Sequence, residues 1–114
     1  MYMSTDESEK SRVIKLAAFT DYNSGSILTR TILKKITGHI DVVSVDSTEK
    51  APDTFSPFDS FIHIIEGKAD IRFNKNSHLV GQGDAIIIPA NTVYTMQAKN
   101  RFKMVLTIIK SGYE

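Results

Sequence analysis

The side chains that could do acid–base or metal chemistry are few in this sequence and widely spaced. Three histidines are present, His39, His63 and His78, and there is no cysteine. Histidines this far apart lack the short spacing with which paired imidazoles usually hold a metal ion. The lack of cysteine excludes a disulfide framework, a thiolate metal site and a cysteine nucleophile.

Each of these histidines, and two of the acidic residues, also has a plain structural interpretation. His63 lies in an apolar segment and is expected to be a partly buried histidine bonded to backbone or water. His39 and His78 follow turn signals and are expected to be solvated. Asp59 and Asp84 lie in loops, where carboxylates commonly accept hydrogen bonds from backbone amides.

Charge and composition exclude several classes of function. The 114 residues include 14 Lys and Arg against 13 Asp and Glu, a net charge of +1. This balance gives no basic surface for nucleic acid and no polybasic membrane anchor. No apolar run is long enough to span a bilayer, and the N-terminus lacks a signal-peptide core. We therefore expect a cytoplasmic protein without nucleic-acid or membrane partners.

The chain is long enough for one domain, built from strands. Residues 1–11 are polar and predict a flexible tail, and residues 12–114 a single domain. The segment 12–19 suits a strand or a helical turn, and 47–57 a loop or an edge strand because of its prolines. Strands are predicted over 27–33, 40–46, 58–65, 69–73, 78–80, 85–88, 93–98 and 102–110. Many short strands with turn signals between them indicate a sandwich, barrel or jelly roll.

Residues 83–94 resemble the second conserved motif of the cupin superfamily. In that motif a glycine is followed by five residues, a proline, one residue, a turn residue, two residues and a histidine. The matching positions here are Gly83, Pro89 and Asn91. Residues 60–67 are similar to the end of the first cupin motif, so the resemblance covers roughly residues 26–110. It implies an all-β fold, the double-stranded β-helix or jelly-roll barrel of the cupins.

The same resemblance implies where a metal would be held. A typical cupin uses His-x-His and a Glu from the first motif and a His from the second. The corresponding residues here are Thr54, Ser56, Ser60 and Tyr94. A hydroxyl that keeps its proton does not replace an imidazole or a carboxylate as a ligand. A Tyr94 phenolate could coordinate iron, but one ligand does not make a site, so we expect no metal and no cofactor.

Two registers of the strand after Ser60 stay open from sequence. Alternation from Ser60 points Ile62 into the barrel and His63 out of it. A slip of one residue would bring Asp59 to the carboxylate position and turn His63 inward beside it.

The inward-facing residues predict either a filled core or a ligand pocket. Alternation points Thr92, Tyr94 and Met96 inward together. Small barrels often fill their interior with side chains. The alternative is a mouth lined by hydroxyls and apolar groups, suited to a neutral or weakly polar small molecule. The residues predicted to line such a pocket are Thr54, Ser56, Ser60, Ile62, Tyr94 and Met96.

Three functions follow from these predictions. The leading one is a metal-free cupin that binds a small molecule, such as a sugar derivative or another metabolite, without catalysis. The second is an isomerase or epimerase in which Tyr94 is the candidate acid or base. The third is a structural module with a filled barrel. Three apolar side chains are predicted to face outward, those of Phe61, Ile65 and Val93. Because exposed apolar side chains favour association, a homodimer is expected in each case.

Overall fold

Short runs of β-branched residues form antiparallel strands between the predicted turns. The computed structural model describes residues 10–46, 53–98 and 100–110. Within these residues the one helical element is a 3-10 turn at Leu16–Ala18, which lies in the segment 12–19. The strands are β1 (Ile27–Lys35), β2 (Gly38–Val45), β3 (Thr54–Ser56), β4 (Asp59–Glu66), β5 (Lys68–Phe73), β6 (Asn76–Gly81), β7 (Ala85–Ile88), β8 (Thr92–Gln97) and β9 (Phe102–Ile109). The prediction of an all-β fold is confirmed.

The strands form two sheets that enclose a core. The five-stranded sheet has the order β1-β2-β9-β4-β7, and the four-stranded sheet the order β3-β8-β5-β6. All strand pairs are antiparallel. The core lies between the inner faces of both sheets. Its buried members are Val43, Val45, Ile62, Ile64, Ala69, Ile71, Val80, Ile88, Tyr94, Ala98, Phe102 and Met104.

Turn chemistry explains several strand boundaries. Asn74 and Lys75 have φ angles of 51° and 64° and form the two-residue tip of the β5–β6 hairpin. Both angles are positive, as in the type I′ turns that match strand twist. Asn91, with φ at 61°, turns the chain between β7 and β8. The turn between β1 and β2 is short, because Lys35 already pairs with Gly38.

Two irregularities interrupt the pairing of the five-stranded sheet. The β1–β2 register shifts between Thr31 and Leu33, so β1 bulges at this point. The β4–β9 register shifts between Ile64 and Glu66, just before Gly67. Bulges of this kind increase the local twist and let a sheet bend.

The segment just before β1 covers the outer face of β2 and β9. Ser44 and Lys103 point outward, yet both are buried. The Ser44 hydroxyl donates to the backbone carbonyl of Asp21, and Lys103 Nζ donates to that of Ala17. The Tyr22 hydroxyl donates to Glu66 over 2.5 Å. Burial, together with this bond, raises the pKa of Tyr22 well above 10.0 and keeps the phenol protonated.

Two pairs of exposed apolar residues lie on the outer faces of the two sheets. Phe61 and Ile87 are register partners on the outer face of the five-stranded sheet, and Phe55 and Val93 on that of the four-stranded sheet. All four are exposed. Phe61 and Val93 therefore lie on the outer faces of different sheets.

The homodimer stays a prediction. If Phe61 lies in its interface, sedimentation velocity at micromolar concentration should give a dimer for the natural chain and a monomer for Phe61→Lys. The matched change Phe55→Lys, on the other sheet, should leave the dimer intact. A sharp monomer peak for the natural chain would contradict the prediction.

The termini and one loop lie largely outside the described residues. Of the predicted flexible tail 1–11, only Lys10 and Ser11 are described, and they form part of a turn. Within 47–57, residues 53–57 are described, and β3 forms the edge of the four-stranded sheet there. No helix among the described residues has the length and apolar character needed to cross a membrane.

Candidate functional site

Polar side chains gather on the inner faces of both sheets at one end of the barrel. At this end, His39 on β2, Ile108 on β9 and Ser60 on β4 follow one another across the five-stranded sheet. In the four-stranded sheet, Ser56 pairs with Thr92 at the corresponding end. We call this end of the barrel the polar mouth, defined by His39, Asp41, Ser56, Ser60, Thr92 and Tyr94.

A pair of serine hydroxyls joins the two sheets at the polar mouth. Ser56 and Ser60 are 5% and 2% exposed, and their Oγ atoms are 3.0 Å apart. Each hydroxyl can also donate to the backbone carbonyl of Phe58, and Ser56 makes the closer contact. The protons of both hydroxyls are therefore used in hydrogen bonds within the turn between β3 and β4. Their lone pairs can still accept hydrogen bonds from a ligand.

Tyr94 supplies a phenol hydroxyl to the polar mouth. It is 6% exposed and belongs to the core cluster. Within the described residues its hydroxyl has no hydrogen-bond partner. Burial raises the pKa of Tyr94, so the phenol keeps its proton at neutral pH and can act as a hydrogen-bond donor.

The other predicted pocket residues are placed unequally. Ile62 is fully buried among core side chains, and Met96 is half-buried against the same cluster. Thr54 pairs with Tyr94 across β3 and β8 but is exposed at the sheet edge. The structure thus joins Ser56 to Ser60, places Tyr94 inward on β8, leaves Thr54 at the rim, and uses Ile62 as core.

The strand that carries Ser60 has the register predicted by simple alternation. Ile62 and Ile64 point inward with no exposure, and His63 lies on the outer face beside Phe61, with ring centroids 6.5 Å apart. The slipped register is therefore wrong. Asp59 accepts a hydrogen bond from the Ala90 N–H at 2.8 Å, and Asp84 accepts one from the Gly81 N–H at 3.1 Å.

Sequence reasoning missed a histidine–aspartate pair on the inner face of β2. The β2–β9 register is regular, so His39 and Asp41 face the same way as the core residue Val43. Their Nε2 and Oδ2 atoms are 3.4 Å apart, and the side chains are 19% and 10% exposed. The expectation that His39 is solvated is wrong, because the preceding turn ends at Thr37 and His39 already lies within β2.

His78 also departs from the expectation of a solvated side chain. Its ring stacks on Phe73 with centroids 4.5 Å apart, and its Nδ1 lies 3.1 Å from the Ile71 carbonyl oxygen. Because Nδ1 is held by the backbone of the neighbouring strand, His78 has a structural role.

The donor set at the polar mouth does not fit the metal that cupins commonly hold. The positions implied by the resemblance carry hydroxyls, and two of these hydroxyls are bonded to each other. In the part of the chain that the structure describes, no three His, Asp or Glu side chains are grouped so as to hold a metal ion. His39 and Asp41 are two possible ligands, fewer than a protein metal site requires.

Comparison with known proteins rests on structure. No protein-family model matches the sequence. No curated protein matches it either. The chain is similar to a conserved protein of unknown function from Streptococcus pyogenes, with a TM-score of 0.84 and 24% identity over 97% of each chain.

Two further solved structures carry fold names. A cupin superfamily protein from Desulfitobacterium hafniense has a TM-score of 0.81 at 19% identity, over 96% of this chain and 98% of that one. An RmlC-like cupin family protein with a double-stranded β-helix fold, from Methanocaldococcus jannaschii, has a TM-score of 0.70 at 13% identity, over 90% and 94%. The chain therefore has the double-stranded β-helix fold of the cupin superfamily, as the motif resemblance predicted.

Proposed function

We propose that this protein binds a small, polar, uncharged molecule at the polar mouth, without a metal ion and without catalysis. The observation that carries the proposal is the inward-facing Tyr94 side chain, 6% exposed, whose hydroxyl makes no hydrogen bond to another described residue. It lies on the inner face of the same barrel end as the Ser56–Ser60 pair. A hydroxyl that no protein group occupies is available to a ligand that brings a hydrogen-bond acceptor.

The hydroxyls of the polar mouth suit a ligand with neutral hydrogen-bonding groups. Tyr94 can donate, while the lone pairs of Ser56 and Ser60 can accept. The apolar side chains of Ile88 and Ile108 flank Ser60 in the same row and would contact carbon atoms of the ligand. Sugar derivatives and similar hydroxylated metabolites combine these two properties.

Tyr94 favours binding over the isomerase or epimerase alternative. A phenol whose pKa is raised by burial is a weaker acid than free tyrosine and gives up its proton less readily. Efficient proton transfer at neutral pH needs a group whose pKa lies near the working pH. Donating a hydrogen bond, in contrast, requires only that the phenol stay protonated.

A binding screen tests the proposal. A library of neutral hydroxylated metabolites is screened by protein-observed NMR, and at least one compound should shift resonances of Tyr94 and Ser60. Tyr94→Phe should weaken the binding of that compound about fivefold, since a hydrogen bond between neutral groups contributes about 1 kcal/mol. Tyr22→Phe removes a hydroxyl on the opposite side of the five-stranded sheet and should leave the affinity unchanged.

Two results would contradict this proposal. The first is purified protein that holds zinc, manganese, iron or nickel tightly at one equivalent. The second is a screen in which no compound shifts the Tyr94 resonances. That result would favour the structural module with a filled barrel.

A further inference from the structure

Two polar atoms of the polar mouth are buried with no partner, and both belong to the His39–Asp41 pair. These atoms are Nδ1 of His39 and Oδ1 of Asp41. Buried nitrogen and oxygen atoms of native proteins are nearly always hydrogen-bonded, so two orphans on one contacting pair need an explanation. The remaining atoms of the pair, Nε2 and Oδ2, face each other at 3.4 Å.

The neighbours of the pair leave the two orphan atoms unsatisfied. On β9 the register partners of His39 and Asp41 are Ile108 and Leu106, which have no polar side-chain atoms. On β1 the partners are Lys34 and Thr31. Lys34 is exposed, and neither it nor Thr31 makes a hydrogen bond to Nδ1 of His39 or Oδ1 of Asp41.

The chemistry of the pair specifies what would satisfy it. When the imidazole is neutral and its proton on Nε2 points to Asp41, Nδ1 is an acceptor. The free carboxylate oxygen Oδ1 is also an acceptor. A partner must therefore bring two hydrogen-bond donors, and the carboxylate charge disfavours an anion.

His39 is the more exposed member of the pair. His39 lines a surface depression of about 210 Å³ at the end of β1, β2 and β9, together with Gly38 and Ile108. Its side chain is 19% exposed, whereas that of Asp41 is 10% exposed.

We propose that the His39–Asp41 pair is the specificity element of the polar mouth and binds a ligand group with two adjacent hydrogen-bond donors. One donor goes to Nδ1 of His39 and the other to Oδ1 of Asp41. Neutral adjacent hydroxyls and a cationic amidine or guanidine share this chemistry; binding of the cation alone would keep this inference and contradict the uncharged ligand proposed above. The inference rests on the proposed function, because it takes the polar mouth to be a ligand site.

The test compares three probes by the imidazole resonances of His39 and the ring resonances of Tyr94 at pH 8. The probes are myo-inositol, with neutral adjacent hydroxyls, N-methylguanidinium, with paired N–H donors, and acetate, an anion. At least one of the first two should shift His39, which also distinguishes hydroxyl from cationic donors, and acetate should not. Asp41→Asn keeps the shape of the side chain and should weaken the binding of the probe that shifts His39 about tenfold or more.

A double variant separates recognition from structural support. His39→Leu with Asp41→Leu removes both orphan atoms together, and an apolar replacement of a whole buried pair is often neutral or stabilising. We therefore expect an unchanged or raised Tm together with loss of probe binding. A Tm lowered by more than about 8 °C would show that the pair supports the fold, and would overturn the inference.

The remaining outcomes distinguish this inference from the proposed function. If a probe or library compound shifts Tyr94 but not His39, or if Asp41→Asn leaves its affinity unchanged, the pair is not the specificity element, although the site stands. If no compound shifts the resonances of Tyr94 or His39, both the proposed function and this inference are wrong.

Discussion

Phe102→Ala should lower the free energy of unfolding by about 3–5 kcal/mol, because truncating a fully buried aromatic side chain leaves a cavity. Phe102 is 0% exposed and begins β9, the strand that pairs with both β2 and β4. Its loss would loosen the end of the core opposite the polar mouth. Urea unfolding followed by circular dichroism measures the change.

Phe55→Ala is the matched control for this prediction. Phe55 is 56% exposed on the outer face of β3. Its truncation should lower the free energy of unfolding by about 1 kcal/mol or less, because little of the side-chain area leaves water on folding. Equal losses for the two variants would mean that the core is not organised around Phe102.

Gly67→Ala is the second change with a large expected effect, about 2–4 kcal/mol of destabilisation from backbone strain and collision. Gly67 has a φ of +77°, which favours glycine. A Cβ atom at this position would lie 2.4 Å from the carbonyl oxygen of Arg101, so the backbone of one strand end would have to move. Thermal and urea unfolding should both report the loss.

Gly25→Ala separates the two causes. Gly25 has a similar φ of +67°, but a Cβ atom there meets nothing within 4 Å. Its replacement should cost about 1–2 kcal/mol from the left-handed conformation alone. If Gly67→Ala costs no more than Gly25→Ala, then the approach of Arg101 does not restrict position 67.

Strands with one apolar face could be predicted well from the sequence. In β4, Ile62 and Ile64 alternate with Phe61 and His63, and the structure has the register that this alternation indicates. The motif resemblance supplied the fold, and Asn91 adopts the left-handed turn conformation that its type predicts.

The inner face of β2 could not be predicted in the same way. Residues 17–22 cover the outer face of this strand, so Val42 and Ser44 on that side are as buried as Val43 and Val45 on the other. Because both faces are buried, no period of two separates inside from outside. The inward direction of His39 and Asp41 is therefore visible only in the pairing with β9.

Tertiary contacts also decide which predicted pocket hydroxyls are available. Ser56 and Ser60 are four residues apart and were predicted to line one pocket. Their bonds to each other and to the Phe58 carbonyl depend on how the chain turns between β3 and β4. Spacing alone carries no information about that turn.

The bulge in β1 has a consequence for association between chains. β1 ends the strand order of the five-stranded sheet, and a long flat edge strand can template the addition of a strand from another molecule. The register shift between Thr31 and Leu33 bends this edge, and Lys34 and Lys35 add charge beyond it. Both features oppose edge-to-edge polymerisation into fibrils, a protection that β1 needs because it spans nine residues.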